Sequence, residues 1–165
     1  MTIPLPIHLL IHFILAMLSG YLAGKYFNKL SWGIIAGFCA GFLVDLDHVL
    51  EYFLVYGFNF NLVYFLQGRQ FLISDKIHLW FHAWEYVLFF LLLAYLLKKI
   101  KIAKIIFISL GLALSVHLLS DSFINKYPPL FYTLSYRAGA DFSARTLMRP
   151  EDYQKSQEAK YWLGL

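Results

Sequence analysis

The stretch Ile102–Ile124, with the sequence IAKIIFISLGLALSVHLLSDSFI, decides the fold class of this chain. It holds 23 residues, and its ionisable side chains are Lys104 near one end and His117 and Asp121 near the other. A helix needs roughly 20 predominantly apolar residues to cross about 30 Å of hydrocarbon. The stretch therefore predicts a membrane-spanning helix that carries a histidine and an aspartate in its second half.

Three further apolar runs of 21 to 23 residues precede it along the chain: Ile7–Phe27, Ser31–Phe53 and Ile77–Leu97. Of the 165 residues, 60% are apolar and 15% are charged, whereas a soluble domain is about 25% charged. This composition excludes a disordered chain, a collagen-like chain and an ordinary soluble enzyme. We expect an all-α integral membrane four-helix bundle with spans at about 7–27, 31–53, 77–97 and 102–124.

Two segments outside these runs are predicted to lie at the membrane surface. Tyr56–Lys76 mixes amides, glycine and arginine with aromatic residues, which suits an interfacial segment between the second and third spans. Pro128 and Pro129 end the fourth helix, and the chain beyond them holds too many aromatic residues for a disordered tail. We expect residues 1–125 to form the bundle with a metal site, and residues 126–165 to form a folded interfacial tail that caps this site.

The lysines in the short loops predict the orientation. Lys25 and Lys29 flank the first connection, and residues 98–104 hold four more lysines at the third. Because positive charge accumulates on the cytoplasmic side of a membrane, both termini are expected on the extracytoplasmic side. The net charge is +4, but the basic residues lie in short clusters instead of a continuous stripe, which argues against a nucleic-acid partner.

Many histidine and acidic side chains lie within the predicted spans, although a charged group at the membrane centre costs roughly 2.5–3.5 kcal/mol on insertion scales. They include every histidine of the chain: His8, His12, Asp45, Asp47, His48, His78, His82, Glu85, His117 and Asp121. Spacings of three or four residues place most of them on one face of each helix. Their offsets from the cytoplasmic ends of the spans put them about 18–29 Å above the inner face. We therefore expect the spans to bring them together in the outer half of the membrane.

Imidazoles and carboxylates in one buried site are typical ligands of zinc or another divalent first-row metal. The candidate metal ligands are His12, Asp45, His48, His78, His82, Glu85, His117 and Asp121. This set exceeds the four ligands of one tetrahedral ion and favours two or more ions. Zinc is the first expectation, and manganese and iron stay open. The single cysteine, Cys39, offers no thiolate cluster.

Other roles are predicted for residues close to these candidates. His8, near the start of the first helix, is either a ligand or a residue at the lipid headgroups. Glu85 or Asp47 is the expected general base or water-orienting carboxylate, and Glu51 is expected at a solvated helix end. Arg137, just beyond the fourth span, is the candidate for holding a phosphate with its planar guanidinium.

Taken in order, these motifs resemble the membrane-bound metal-dependent hydrolases of bacterial inner membranes, a family long catalogued as of unknown function. The likeness covers about residues 8–137 and rests on the early histidine, Asp-Leu-Asp-His at 45–48, the paired histidines at 78 and 82, and Ser-Val-His-Leu-Leu-Ser-Asp at 115–121. The paired motif departs from the family's frequent His-Arg-Gly-x-Thr-His-Ser, and Val44 stands where a proline often precedes Asp-x-Asp-His. The mixture of histidines and carboxylates is also similar, in ligand chemistry, to zinc-dependent phospholipases C.

The resemblance implies a hydrolase of the bacterial inner (plasma) membrane whose metal lowers the pKa of a bound water toward about 7. The resulting nucleophile would attack a phosphoester of a membrane lipid or lipid-linked substrate, and an amide or ester of a lipid stays open. Two alternatives are a haem-b electron carrier with histidines as axial ligands and a divalent-metal or proton transporter. The residues identify no protein partner.

Overall fold

The computed structural model describes residues 5–165, which form helices joined by short loops, with no β-strand among them. The α-helices are α1 (Leu5–Tyr26), α2 (Leu30–Gly41), α3 (Asp47–Tyr56), α4 (Leu62–Leu66), α5 (Arg69–Ser74), α6 (Trp84–Leu96), α7 (Lys101–Asn125), α8 (Leu134–Gly139), α9 (Ala144–Leu147) and α10 (Pro150–Trp162). Short 3-10 helices lie at Leu43–Leu46 and Pro129–Tyr132. The prediction of an all-α protein is confirmed for the described residues. They divide into two compact units, 5–45 with 81–133 and 46–80 with 134–165.

The first unit contains α1, α2, α6 and α7. Helix α7 contacts each of the other three, and the 3-10 helix Pro129–Tyr132 also packs on it. Helices α1 and α2 approach very closely, since a Cβ added at Gly33 would lie 2.5 Å from the Cα of Gly24. Small residues allow such backbone contact, as is common between membrane helices. Helix α7 is therefore the central element around which this unit is built.

Three helical segments are long and apolar enough to cross a membrane: Ile7–Tyr26, Leu30–Tyr56 and Lys101–Asn125. They overlap three of the four predicted spans, those at 7–27, 31–53 and 102–124. We conclude that the chain associates with a membrane through these helices.

The third predicted span, at 77–97, differs from the structure. Helix α6 contains 13 residues, and 13 residues rise only about 20 Å, short of the roughly 30 Å of a hydrocarbon core. Helix α6 is thus a shorter apolar helix, in addition to the three candidate spans. A four-helix membrane bundle is not confirmed.

Residues 77–83 are not helical, and backbone groups of this segment form hydrogen bonds with residues 137 and 142. The N–H of Ile77 donates to the carbonyl of Phe142 at 2.8 Å. Leu79 has a φ of 43°, outside the right-handed helical region, and its carbonyl accepts a hydrogen bond from Nη2 of Arg137 at 2.7 Å. These contacts with a distant part of the sequence replace the hydrogen bonds that an extended α6 would make.

The expectation that His78, His82 and Glu85 share one helical face is therefore wrong. Of the three, only Glu85 lies in α6, while both histidines lie in the irregular segment before it. The second predicted span is also interrupted, because the α-helix ends at Gly41 and the 3-10 helix that follows contains Asp45.

The second unit contains α3, α4, α5, α8, α9 and α10. Helix α5 contacts α3, α4 and α10, and α9 contacts α10. The side chain of Asn61 caps α4 by accepting from two backbone N–H groups. The hydroxyl of Tyr153 in α10 donates to the carboxylate of Asp75 at 3.2 Å. Residues 134–165 are thus folded against 46–80, whereas the capping of a metal site by the tail stays a prediction.

Candidate metal centre

Six ionisable side chains of the first unit form one group, the His/Asp cluster: His8, His12, Asp45, His82, His117 and Asp121. His8 and His12 are one turn apart on α1, and His117 and Asp121 are one turn apart on α7. Asp45 lies in the 3-10 helix after α2, and His82 lies two residues before α6. Asp45 keeps slight exposure, and the other five members are buried.

The two oxygens of Asp121 face different pairs of histidines. Its Oδ1 lies 3.1 Å from Nε2 of His8 and 3.3 Å from Nε2 of His12. Its Oδ2 lies 3.3 Å from Nε2 of His117 and 3.7 Å from Nε2 of His82. The carboxylate therefore stands between a pair that includes both α1 histidines and a pair that joins α7 to the segment before α6.

Asp45 has a similar double role on another side of the cluster. Its Oδ2 accepts from Nδ1 of His12 at 3.0 Å. Its Oδ1 lies 3.4 Å from Nε2 of His82 and 3.7 Å from Nε2 of His117. When Nδ1 of His12 donates its hydrogen to Asp45, the lone pair of Nε2 is directed toward Asp121. A carboxylate that holds the far nitrogen of a histidine is a frequent partner of metal-binding histidines.

A backbone carbonyl fixes the tautomer of His117. Its Nδ1 lies 2.7 Å from the carbonyl oxygen of Gly41, and since a carbonyl can only accept, Nδ1 carries the hydrogen. The neutral ring then has its lone pair on Nε2, the atom that faces Asp121 and lies 3.2 Å from Nε2 of His82. The ring is thus oriented as a ligand.

The donor set of the cluster fits a divalent metal ion. Within the first unit, three groups of ligand atoms lie within 4.8 Å of one another: His8, His12 and Asp121; His12, Asp45 and His117; His82, His117 and Asp121. With neutral imidazoles the two carboxylates leave a buried charge of minus two, which is costly without a counter-ion. Nitrogen and oxygen ligands without sulfur suit zinc, manganese or iron.

Three sequence-predicted residues are not among the six that define the His/Asp cluster. Glu85 lies in the first turn of α6, half-buried, and the ligand groups formed by the described residues do not include it. Within the second unit, Asp47 is the first residue of α3 and is fully buried. His48, also in α3, packs edge-on against the ring of Phe71 at 5.9 Å. Their predicted catalytic and ligand roles stay predictions.

His78 pairs with Glu51 in the second unit. Its Nδ1 lies 2.7 Å from Oε1 of Glu51, and the ring stacks on Trp80 and packs against Phe142. Glu51 is 1% exposed, so its prediction as a solvated helix end is wrong. The physical reason is that the imidazole, brought in by the irregular segment after α5, supplies the hydrogen bond that burial of a carboxylate requires.

Arg137 lies in α8 and is fully buried. Its Nη2 donates to the carbonyl oxygen of Leu79 at 2.7 Å. This contact holds the backbone of the irregular segment that precedes α6. The predicted role in binding a phosphate stays a prediction, and the hydrogen bond gives Arg137 a structural role in the second unit.

The sequence left the role of His8 open, and the structure places it in the His/Asp cluster. The signal was its spacing, because His8 and His12 are four residues apart in the same way as His117 and Asp121. No sequence pattern predicts the part played by the carbonyl of Gly41, since any residue has a carbonyl and only packing brings this one to His117.

Comparison with known proteins adds no functional information. No family model matches the chain, and no curated protein or solved structure matches it significantly. Functional assignment therefore depends on the chemistry of the His/Asp cluster and on the resemblance of its motifs.

Proposed function

We propose that this chain is a membrane-embedded, metal-dependent hydrolase that cleaves a phosphoester of a lipid or lipid-linked substrate. The observation that carries the proposal is the convergence of four imidazoles on two carboxylates, at 3.0–3.7 Å. The ordered motifs, which resemble those of membrane-bound metal-dependent hydrolases, support the same assignment.

Each residue of the His/Asp cluster has a definable part in holding such a metal. His8, His12, His82 and His117 offer Nε2 atoms, and Asp121 offers one oxygen to each pair. Asp45 and the carbonyl of Gly41 hold the Nδ1 atoms of His12 and His117. A divalent ion, zinc first, would supply Lewis-acid chemistry and lower the pKa of a bound water to about 7. The ligand count would also suit two ions.

The membrane setting supports a lipid as the substrate. His12 and Asp121 lie within two of the three helical segments able to cross a membrane, Ile7–Tyr26 and Lys101–Asn125. A phosphoester that reaches a site on such helices is most simply carried by a molecule that already resides in the bilayer. Glu85, which lies in the first unit, is proposed to assist as general base. The roles that the sequence predicts for Asp47 and Arg137 stay predictions.

The carboxylates disfavour a haem-b carrier. Axial histidines of a haem face an apolar pocket, whereas the imidazoles of the cluster lie beside Asp45 and Asp121. A Soret absorption band in the purified protein would overturn the hydrolase proposal. A metal transporter would use similar ligands, but it would move zinc across vesicles without consuming lipid.

The test is hydrolysis in vesicles. The full chain is reconstituted with zinc in vesicles of phosphatidylethanolamine and phosphatidylglycerol, and phosphorus NMR follows the appearance of a phosphomonoester. We expect turnover that a chelator abolishes and zinc restores. Asp121→Asn should abolish turnover because it removes a charged oxygen from the ligand set, whereas Asp141→Asn, at an exposed position, should not. Zinc-loaded protein that leaves every lipid intact would refute the proposal.

A further inference from the structure

An apolar cavity of about 310 Å³ lies in the first unit, among α2, the 3-10 helix Leu43–Leu46, α6 and α7. Its lining includes Ala40, Val44, Phe90, Leu110 and Leu114. Its volume lies at the lower end of the range of about 300–1,000 Å³ that is typical of small-molecule sites. The only polar atoms that its lining side chains carry are the hydroxyl of Tyr86 and the thiol of Cys39. The cavity therefore suits a hydrocarbon and offers little to a polar ligand.

The cavity lies beside the His/Asp cluster because the two share backbone segments. Val44 precedes Asp45, and Phe81 precedes His82. Ala40 precedes Gly41, whose carbonyl binds His117. Leu114 lies three residues before His117 on α7, a rise of about 4.5 Å. Three cavity residues thus adjoin a residue of the cluster or the glycine that supports it, and a fourth, Leu114, lies about one helical turn from His117.

The cavity has an exposed rim and a buried floor. Cys39 is exposed and Phe81 is 46% exposed, whereas Ala40, Val44 and Leu114 are buried. Cys39 and Leu114 belong to two of the segments that are able to cross a membrane. In a bilayer such a rim faces hydrocarbon, so an acyl chain can enter sideways without crossing a polar layer.

We propose that this cavity binds one acyl chain of the substrate lipid, next to the metal centre that acts on its headgroup. The inference rests on the proposed function for the identity of the headgroup chemistry, but the binding of the chain depends on the cavity alone. The site as a whole is amphiphilic, with an apolar pocket on one side and the His/Asp cluster on the other. This is the arrangement that a lipid, with its polar head and hydrocarbon tail, would complement.

Chain length should matter in a defined way. Each methylene that enters an apolar pocket raises the affinity about fourfold, because its burial is worth about 0.8 kcal/mol. The increase should stop once the cavity is full. A lipid that merely coats the outside of the helices would show no such limit.

The experiment counts retained lipid by native mass spectrometry. Delipidated full-length protein is incubated with phosphatidylglycerols of increasing acyl length, and excess lipid is removed with detergent. We expect the wild type to retain one lipid per protein. Leu110→Trp fills the cavity from a half-buried position and should retain at least tenfold less lipid than the wild type. Leu112→Trp is the matched control, because Leu112 lies on the same helix, is exposed and does not line the cavity.

Two further measurements separate the possible outcomes. Asp121→Asn should keep the lipid although it loses metal and turnover. A wild type that retains lipid but hydrolyses none would therefore count against the enzyme and not against the cavity. Cys39, the single cysteine, lies at the rim, and lipid should slow its alkylation by N-ethylmaleimide in the unmodified protein. Equal retention by Leu110→Trp and wild type, equal loss in Leu112→Trp, or alkylation that lipid does not slow would overturn the inference.

Discussion

His117 donates the hydrogen on its Nδ1 to the carbonyl oxygen of Gly41 at 2.7 Å, across 76 residues of sequence. Gly41 also lies where α1 packs closely on α2. A Cβ added there would lie 2.6 Å from Cβ of Ala16 on α1, closer than real Cβ atoms approach. The same residue therefore takes part in the packing of α1 on α2 and in the hydrogen bond that fixes the tautomer of His117, a candidate metal ligand.

Gly41→Val should weaken metal binding without touching a ligand. The added side chain forces α1 and α2 apart, which moves the carbonyl away from His117 and leaves that imidazole free to rotate. Loss of such a supporting contact lowers metal affinity about 10–100-fold, measurable by competition with a zinc chelator. Gly111→Ala is the control, because its Cβ would meet Leu91 at an ordinary 3.5 Å. An unchanged zinc affinity in Gly41→Val would show that the hydrogen bond does not orient the ligand.

Asp121→Ala should remove all bound metal, because its two oxygens serve both histidine pairs. His8→Ala should remove only part of it, since His82, His117 and the other oxygen of Asp121 remain. Elemental analysis of the purified proteins measures this difference. His78→Ala should keep the wild-type metal content, because its Nδ1 is held by Glu51. Loss of metal in His78→Ala would support the ligand role that the sequence alone predicts for it.

Glu51→Gln should destabilise the second unit. The change weakens a 2.7 Å contact between a buried carboxylate and a half-buried imidazole, and we expect a loss of about 1–3 kcal/mol in the free energy of unfolding. Asp141→Asn breaks the exposed ion pair with Lys76 and should cost less than about 1 kcal/mol. Thermal unfolding in detergent compares the two variants. Equal midpoints would contradict the importance assigned to the buried pair.

Arg137→Ala should lower the free energy of unfolding, an effect that a purely catalytic role for Arg137 would not produce. It removes a fully buried donor from the carbonyl of Leu79, and the unpaired carbonyl should cost about 1–3 kcal/mol. Arg145→Ala, at an exposed position in α9, is the control and should leave the unfolding midpoint unchanged. If Arg137 instead binds the substrate phosphate, Arg137→Lys will raise KM while its unfolding midpoint stays that of the wild type.

The lysine-rich connection before α7 should lie on the cytoplasmic side. In a Cys39→Ser background, which removes the single native cysteine, a Lys99→Cys variant should resist an impermeant thiol reagent applied to intact cells. It should react after the cells are opened, because the residue is then reachable. Labelling of Lys99→Cys from outside would place this connection on the extracytoplasmic side and contradict the predicted orientation.

The sequence by itself determined the features that depend on local order. Long apolar runs predicted the three segments that are able to cross a membrane, because hydrophobic length is a property of consecutive residues. Spacings of three and four residues on helices, together with a common depth, predicted that His12, Asp45, His117 and Asp121 would converge. Helix rise is regular, so distance along the chain converts directly into depth wherever the helix is continuous.

Only the tertiary structure decided where the helices begin and end and which distant residues form hydrogen bonds with one another. Helix α6 begins only at Trp84, and the N–H of Ile77 in the irregular segment before it donates to the carbonyl of Phe142. The residues near Ile77 in the sequence do not predict that contact. The carboxylate of Glu51 is buried, and the imidazole of His78, 27 residues further along the chain, provides its hydrogen bond. Each of these features depends on a hydrogen bond between residues far apart in the chain. A backbone or carboxylate group takes whichever partner packing supplies, and the local sequence does not record that choice.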